Sequence, residues 1–239
     1  MTHLLEVNEI SISFGGIKAV QNLSFYIDPG EILGMIGPNG SGKTTAINLI
    51  SGAYPMDSGS LVFDGKNITN AMGSKDRARV GIGRTFQTPK PFGHLSVFDN
   101  VFAIALQRHD FRGARKRTDE ILEMTKLDAN RDMISSKLPI EKRKWLDFAR
   151  VLSIDPKLIM MDESLSGLNV TEMKDSIQLV REINQTSGIA ILFVEHVMKA
   201  VVDLCHRVIV LNEGRLLAEG TPSDVLAEPN VIAAYIGGE

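Results

Sequence analysis

The stretch Gly37-Pro38-Asn39-Gly40-Ser41-Gly42-Lys43-Thr44 fits the spacing G-x-x-x-x-G-K-[ST] in full. Glycines at these places let successive backbone N–H groups curl around phosphate oxygens, and a helix opening behind them adds partial positive charge. In that chemistry Lys43 reaches the β- and γ-phosphates of a nucleotide and Thr44 ligates Mg²⁺. Asp162-Glu163 closes the apolar run Leu158 to Met161. One carboxylate there suits Mg²⁺, directly or through water, and the second can polarise an attacking water; a solvated strand end would read the same in isolation. Glu195-His196 closes the next apolar run, Ile189 to Val194. His196 at a strand end in step with Asp162 would contact the terminal phosphate and position the water, although a lone histidine is more often structural. Gln87, in Arg84-Thr85-Phe86-Gln87-Thr88-Pro89, has an amide that could touch Mg²⁺ or that water, and is unremarkable by itself. Phe14 is either core or a stacking platform for a purine, and strand spacing favours the core.

Positioning these groups takes an α/β framework. Residues 4–27 alternate apolar and polar, with Leu5, Val7, Ile10, Ile12, Leu23, Phe25 and Ile27 on one face, which predicts antiparallel strands. Ile32 to Ile36 is wholly apolar, as for a strand buried on both faces. A helix is expected over 45–50, stopped near Gly52, and a strand at Leu61-Val62-Phe63 entering a turn at Asp64-Gly65. Between about 90 and 150 a helical period dominates (Val97, Val101, Ile104; Ile121, Leu122, Met124; Trp145, Leu146, Phe148), and basic residues crowd there. The basic run 112–117 reads as a solvated helix face. Strands then return at 158–161 and 189–194, helices at 170–187 and 198–204, and a hairpin at 208–219. Strands alternating with helices imply a parallel sheet with helices against it.

Composition narrows the function class. The 239 residues hold 26 Lys+Arg and 29 Asp+Glu, a net charge of −3, which leaves no footprint for bulk nucleic-acid binding. The hydrophobic share of 44% is ordinary for a globular chain and excludes a disordered or fibrous one. Cys205, the single cysteine, cannot form an internal disulfide and is expected to be inert core in a reducing compartment. The residues from Met1 to Glu6 show no signal-peptide pattern, and no apolar run approaches the roughly 18 residues of a membrane span.

In this order along nearly the whole chain, the motifs resemble the nucleotide-binding subunit of an ABC transporter. Phe14 matches the aromatic adenine platform, residues 37–44 the Walker A loop, Gln87 the Q-loop, and Met161-Asp162-Glu163 the end of Walker B with its catalytic glutamate. Ser166-Gly167-Leu168-Asn169 matches the D-loop and His196 the switch histidine. Finer features resemble the branched-chain (hydrophobic) amino-acid importer group: Ser13 to Val20, Asn48 to Gly52, Gly83 to Gln87, and the ending from Glu219 to Gly237. The resemblance implies an α/β P-loop NTPase with a RecA-like core, an antiparallel β region and a helical subdomain. Residues 1–239 would form one ABC ATPase domain, with 1–87 and 151–239 as the core and 88–150 as the helical part. It implies ATP and Mg²⁺, with Phe14, Val20, Gly37, Pro38, Asn39, Gly40, Ser41, Gly42, Lys43, Thr44 and Thr45 on the nucleotide. Thr44, Gln87 and Asp162 would hold the metal, and Glu163, His196, Gln87 and Lys43 would carry catalysis. The implied partners are a second, different ATPase subunit, membrane permease subunits and, indirectly, a solute-binding protein, with no nucleic acid. The implied location is the cytoplasmic face of the cell membrane, peripherally. The alternatives are a regulatory ATP-binding subunit with little turnover and a soluble ABC ATPase without a transport role.

Two departures from the family pattern stand out. Where the signature reads Leu-Ser-Gly-Gly-Gln, this chain has Leu138-Pro139-Ile140-Glu141-Lys142. Pro139 offers neither hydroxyl nor N–H, and Glu141 sets a negative charge where the opposite subunit's γ-phosphate would arrive, with Lys142 or Arg143 able to offset it. The second departure is Ser164, where proline usually follows the catalytic glutamate.

Overall fold

Five-residue apolar runs form the centre of the molecule, because a parallel sheet covered on both faces leaves no position for a polar side chain. The computed structural model describes residues 2–236. In chain order, β1 (Leu5–Phe14) and β2 (Ile17–Ile27) form a hairpin, followed by β3 (Ile32–Ile36), α1 (Lys43–Ile50), β4 (Ser58–Phe63), β5 (Lys66–Ile68), α2 (Ser74–Val80) and β6 (Ile82–Arg84). Three helices follow, α3 (Val97–Ala105), α4 (Phe111–Met124) and α5 (Ile140–Leu152). The chain then runs through β7 (Leu158–Asp162), α6 (Val170–Ser187), β8 (Ala190–Val194), α7 (Met198–Leu204), β9 (Arg207–Asn212), β10 (Arg215–Gly220), α8 (Pro222–Ala227) and α9 (Pro229–Ile236).

Two sheets result. One is antiparallel, in the order β2-β1-β4-β5, and the other runs β10-β9-β3-β8-β7-β6. In the second, β9, β3, β8, β7 and β6 are mutually parallel and only β10 is reversed. One apolar cluster fills the space between the sheets and takes in Ala46, Ile47, Leu49 and Ile50 of α1. A second covers the opposite face of the parallel sheet with α5, α6 and α7, and extends through Val97, Val101, Ile121 and Leu122 into the helical stretch. Each fully buried Leu, Ile or Phe there contributes about 1.5–3 kcal/mol.

Local chemistry sets the element ends. The Asn169 side chain accepts from the backbone N–H groups of Thr171 and Glu172, and Glu172 reaches back to the Asn169 N–H, so α6 opens on a complete capping box. Gly188 ends it in the left-handed region, as the periodicity of 170–187 predicts. Ser96 and Asp110 cap α3 and α4 through side-chain oxygens. Arg112, Arg115 and Lys116 lie on the exposed side of α4, and Cys205 is buried, with burial pushing its thiol pKa up.

Five elements have no counterpart in the sequence reading. These are β5, β6, α2, α8 and α9. The helix α2 buries one residue, Arg77, whose guanidinium donates to the carbonyls of Leu49, Ile50, Met72 and Thr69. A guanidinium here satisfies the orphan carbonyls at the end of α1, where a cation also meets the negative end of the helix dipole.

Candidate functional site

The parallel order β3-β8-β7-β6 brings the carboxyl ends of four strands side by side. Met35 pairs with Val194 and Val194 with Asp162, so the segments that follow these strands start at the same level. Behind β3 comes the 37–44 loop, behind β8 Glu195 and His196, behind β7 Glu163, and behind β6 the segment to Gln87. This is the edge of an open α/β sheet where ligands sit.

The loop depends on two glycines. Gly37 has φ 151° and a Cβ there would stand 2.1 Å from the Leu211 carbonyl oxygen; Gly42 has φ 103° and a Cβ would stand 2.6 Å from that of Ala19. Only glycine fits either place. Lys43 is buried and its Nζ donates to the carbonyls of Gly37 (2.8 Å) and Pro38 (2.9 Å), spanning the loop. Burial lowers its pKa, while Glu163 and Asp162 pull it back up. Gly42 caps α1 without a side chain, and Thr44 stands exposed in the first turn. Ser41 is buried, whereas Pro38, Asn39, Gly40 and Thr45 keep exposed surface. With β9, α9 and His196, the tip of the loop borders a cleft of about 830 Å³. In α9, Tyr235 contacts the Gly37 backbone, and burial pushes its phenol pKa up.

Glu163 has φ 46°, a left-handed conformation that strains a non-glycine residue. Its Oε2 accepts from Gln87 Nε2 at 2.6 Å. Asp162 is buried at the end of β7, and burial pushes its pKa up, opposed by Arg84. Arg84 donates to Asp162 Oδ2 at 3.0 Å and to Asn48 Oδ1 of α1 at 2.6 Å. The oxygen donors Asp162, Thr44 and the Gln87 amide suit a hard cation, and no group of three or more His, Cys, Asp or Glu forms a metal cage among the described residues. Mg²⁺ characteristically takes few protein ligands and completes its shell with water and phosphates, so this donor set fits it.

Two sequence expectations are corrected here. Phe14 is not core: it is 45% exposed and meets Tyr54 edge-to-face at 5.4 Å, because it closes β1 at the tip of the hairpin. Val20, expected on the nucleotide, is 1% exposed; it packs against the loop backbone at Gly42 and has almost no surface to offer a ligand.

The sequence reading missed four residues around the site. Arg84 is one. Asp147 of α5, buried, accepts from the Phe86 N–H at 3.2 Å and from Arg150 at 3.2 Å, tying the Gln87 segment to that helix; burial pushes its pKa up. Glu195 is fully buried, with its pKa raised to about 7 by burial and lowered in part by the Leu165 N–H that it accepts at 2.8 Å. Lys144 of α5 donates to the carbonyls of Ser164 and Ser166. Asp147 left a trace in the sequence as an acid inside the apolar run Trp145 to Ala149, and Glu195 as the acid that ends the run Ile189 to Val194.

A family model described as "ABC transporter" matches residues 20–166, which carry the loop, Gln87 and the Asp162-Glu163 pair. The chain belongs to the ABC transporter ATP-binding family. A second model, "Branched-chain amino acid ATP-binding cassette transporter", matches residues 215–239. The high-affinity branched-chain amino acid transport ATP-binding protein LivG of Escherichia coli K12 is 34% identical over 250 residues, covering 98% of each chain. The lipopolysaccharide export system ATP-binding protein LptB of the same organism is 30% identical over 235 residues, covering 98% of this chain and 97% of its own. Among solved structures, the ADP conformation of an ATP-binding cassette of an ABC transporter superposes with a TM-score of 0.89 at 30% identity over 100% of both chains. A nucleotide-free cassette gives 0.88 at 30% identity, again over 100% of both. The chain is therefore an ABC-type ATPase cassette of a transporter. Two relatives of similar identity serve unlike cargoes, so likeness at this level does not carry the cargo. No helix of the described residues is long and apolar enough to cross a membrane.

In this cassette the altered signature segment stands at the start of α5, with Pro139 as its N-cap residue and no side-chain cap. The Arg143 guanidinium donates to the carbonyls of Leu138 (2.8 Å) and Ser136 (2.7 Å), folding back onto this segment.

Proposed function

We propose that this cassette hydrolyses ATP to drive an importer of branched-chain amino acids or a related small solute. The observation that carries the reading is the 2.6 Å contact between Gln87 and Glu163 beside the phosphate-type loop. The match of residues 215–239 to the branched-chain model supports the cargo class. The loop amides and Lys43 hold the triphosphate, and Phe14 stacks on the adenine. Thr44, Gln87 and Asp162 hold Mg²⁺, which when bound offsets charge on the phosphates. Glu163 accepts a proton from the attacking water and His196 orients that water against the terminal phosphate. Phosphoryl transfer is mostly positioning and electrostatics, so a strained Glu163 held in one conformation is a catalytic asset.

Residues 1–87 and 151–239 form the core and 88–150 the helical part that receives a short helix of a permease subunit at the cytoplasmic face of the membrane. Two cassettes close head to tail over two nucleotides, and a solute-binding protein delivers the cargo. Because Pro139 offers neither hydroxyl nor N–H and Glu141 sets a negative charge where an opposing phosphate would arrive, the partner cassette is a different chain with its own signature. The site on this chain's loop is then the active one.

The test is uptake of labelled leucine, isoleucine and valine by vesicles carrying the assembled transporter and enclosing ATP. Uptake that disappears with Lys43→Ala supports the reading. ATP turnover stimulated by none of the three, with none taken up, overturns the cargo class.

A further inference from the structure

Glu163 sits in a left-handed backbone conformation, and something must hold it there. The turn it begins is closed internally: Ser166 donates to the Glu163 carbonyl through its N–H (3.2 Å) and its Oγ (2.9 Å). Two side chains from other elements grip the same turn. From the end of β8, the Glu195 carboxylate accepts the Leu165 N–H at 2.8 Å. From the second turn of α5, the Lys144 ammonium donates to the Ser164 carbonyl at 3.0 Å, to the Ser166 carbonyl, and to Ser166 Oγ at 3.2 Å.

Both gripping groups are withdrawn from water. Glu195 is fully buried and its second oxygen, Oε2, has no hydrogen-bond partner, while Lys144 is only partly exposed. A charged group kept at such a place without full compensation is costly. An apolar side chain would fill the same volume more cheaply, but could not hold the backbone groups of 164–166. The Ser164 grip also belongs to this chain's second departure from the family pattern. With serine after the catalytic glutamate, the turn lacks the fixed φ of proline, and the two side chains supply the constraint instead.

We propose that Lys144 and Glu195 are positioning residues that clamp the 163–166 turn from two elements, so that α5 and the Glu163 carboxylate move as one unit. α5 begins at the 138–142 segment, the part of the chain that would face the partner cassette's nucleotide. A shift of α5 is therefore passed through Lys144 to this chain's own Glu163. The inference rests on the reading of Glu163 as the group that activates water.

The test measures kcat and KM for ATP in the assembled transporter for Lys144→Met, Lys144→Arg, Glu195→Val, Glu195→Gln and Glu163→Gln. Displacing a reacting group by about 1 Å can cost on the order of a hundredfold in rate. Lys144→Met and Glu195→Val are expected to lower kcat at least about tenfold with KM within about twofold of wild type. Lys144→Arg, which keeps donors for the carbonyls, and Glu195→Gln, which keeps an acceptor for Leu165, are expected to restore most of the rate. Unchanged kcat in Lys144→Met or Glu195→Val, with Glu163→Gln inactive, overturns the clamp alone. A fall in both kcat and ATP affinity that the conservative variants do not rescue also overturns it, since that is the mark of general loosening. Normal turnover by Glu163→Gln would instead sink the underlying assignment of Glu163.

Discussion

Glu195→Gln is expected to stabilise the protein, by more as the pH rises. The carboxyl is fully buried at the end of β8, and burial raises its pKa from the ordinary 4.5 to about 7. The folded chain thus holds this proton more tightly than the unfolded chain does. Its stabilising contribution is complete below pH 4.5, and is lost as pH rises through about 7. At about 1.4 kcal/mol per unit, the full cost of ionising the buried group is about 3 kcal/mol. Glutamine has the same shape, still accepts the Leu165 N–H and never ionises. Relative to wild type, the variant should gain about 1 kcal/mol at pH 5 and about 3 kcal/mol at pH 8. Urea unfolding of both proteins at the two pH values reads this difference, and other titrating groups cancel in the comparison. An equal gain at both values, or a variant weaker than wild type at pH 8, would refute the assignment of a strained, ionisable carboxylate inside the fold.

Two further outcomes follow from burial and contact. Arg77→Met removes a guanidinium that is 1% exposed and leaves the carbonyls of Leu49, Ile50, Met72 and Thr69 without it; a loss of about 3 kcal/mol or more is expected in urea unfolding, and a loss below about 1 kcal/mol would show that those carbonyls find other partners. Phe14→Ala removes the exposed ring at the tip of the β1–β2 hairpin, so ATP affinity should fall about tenfold, worth about 1.4 kcal/mol of ring stacking, with kcat retained; unaltered affinity by equilibrium binding would place the base elsewhere.

The parts legible in the sequence were those with a local physical signature. The loop 37–44 is marked by residue type and spacing, β3, β7 and β8 by apolar runs with no polar break, and α6 by its cap and terminal glycine. What was illegible depends on distant partners. Three-residue β6 contains Gly83 and is too short for any period, yet it carries Arg84, whose partner Asp162 is 78 positions away. The helix α2 has no apolar stripe because its one buried residue is an arginine. Phe14 has the spacing of a core residue but lies at a hairpin end, where the alternation no longer faces the other sheet. Glu195 and His196 stand together at a strand end, and the chain's alternation buries the first and exposes the second. The sequence drew attention to the histidine, and the glutamate beside it is the group whose pKa burial raises.

The central claim is that Glu163, touching Gln87 beside the 37–44 loop, activates water for attack on bound ATP. Glu163→Gln in the assembled transporter, followed by simultaneous measurement of ATP binding and phosphate release, addresses it most directly. Retained ATP affinity with phosphate release reduced at least about a hundredfold is the predicted result. Release at the wild-type rate, with ATP still bound, would contradict it.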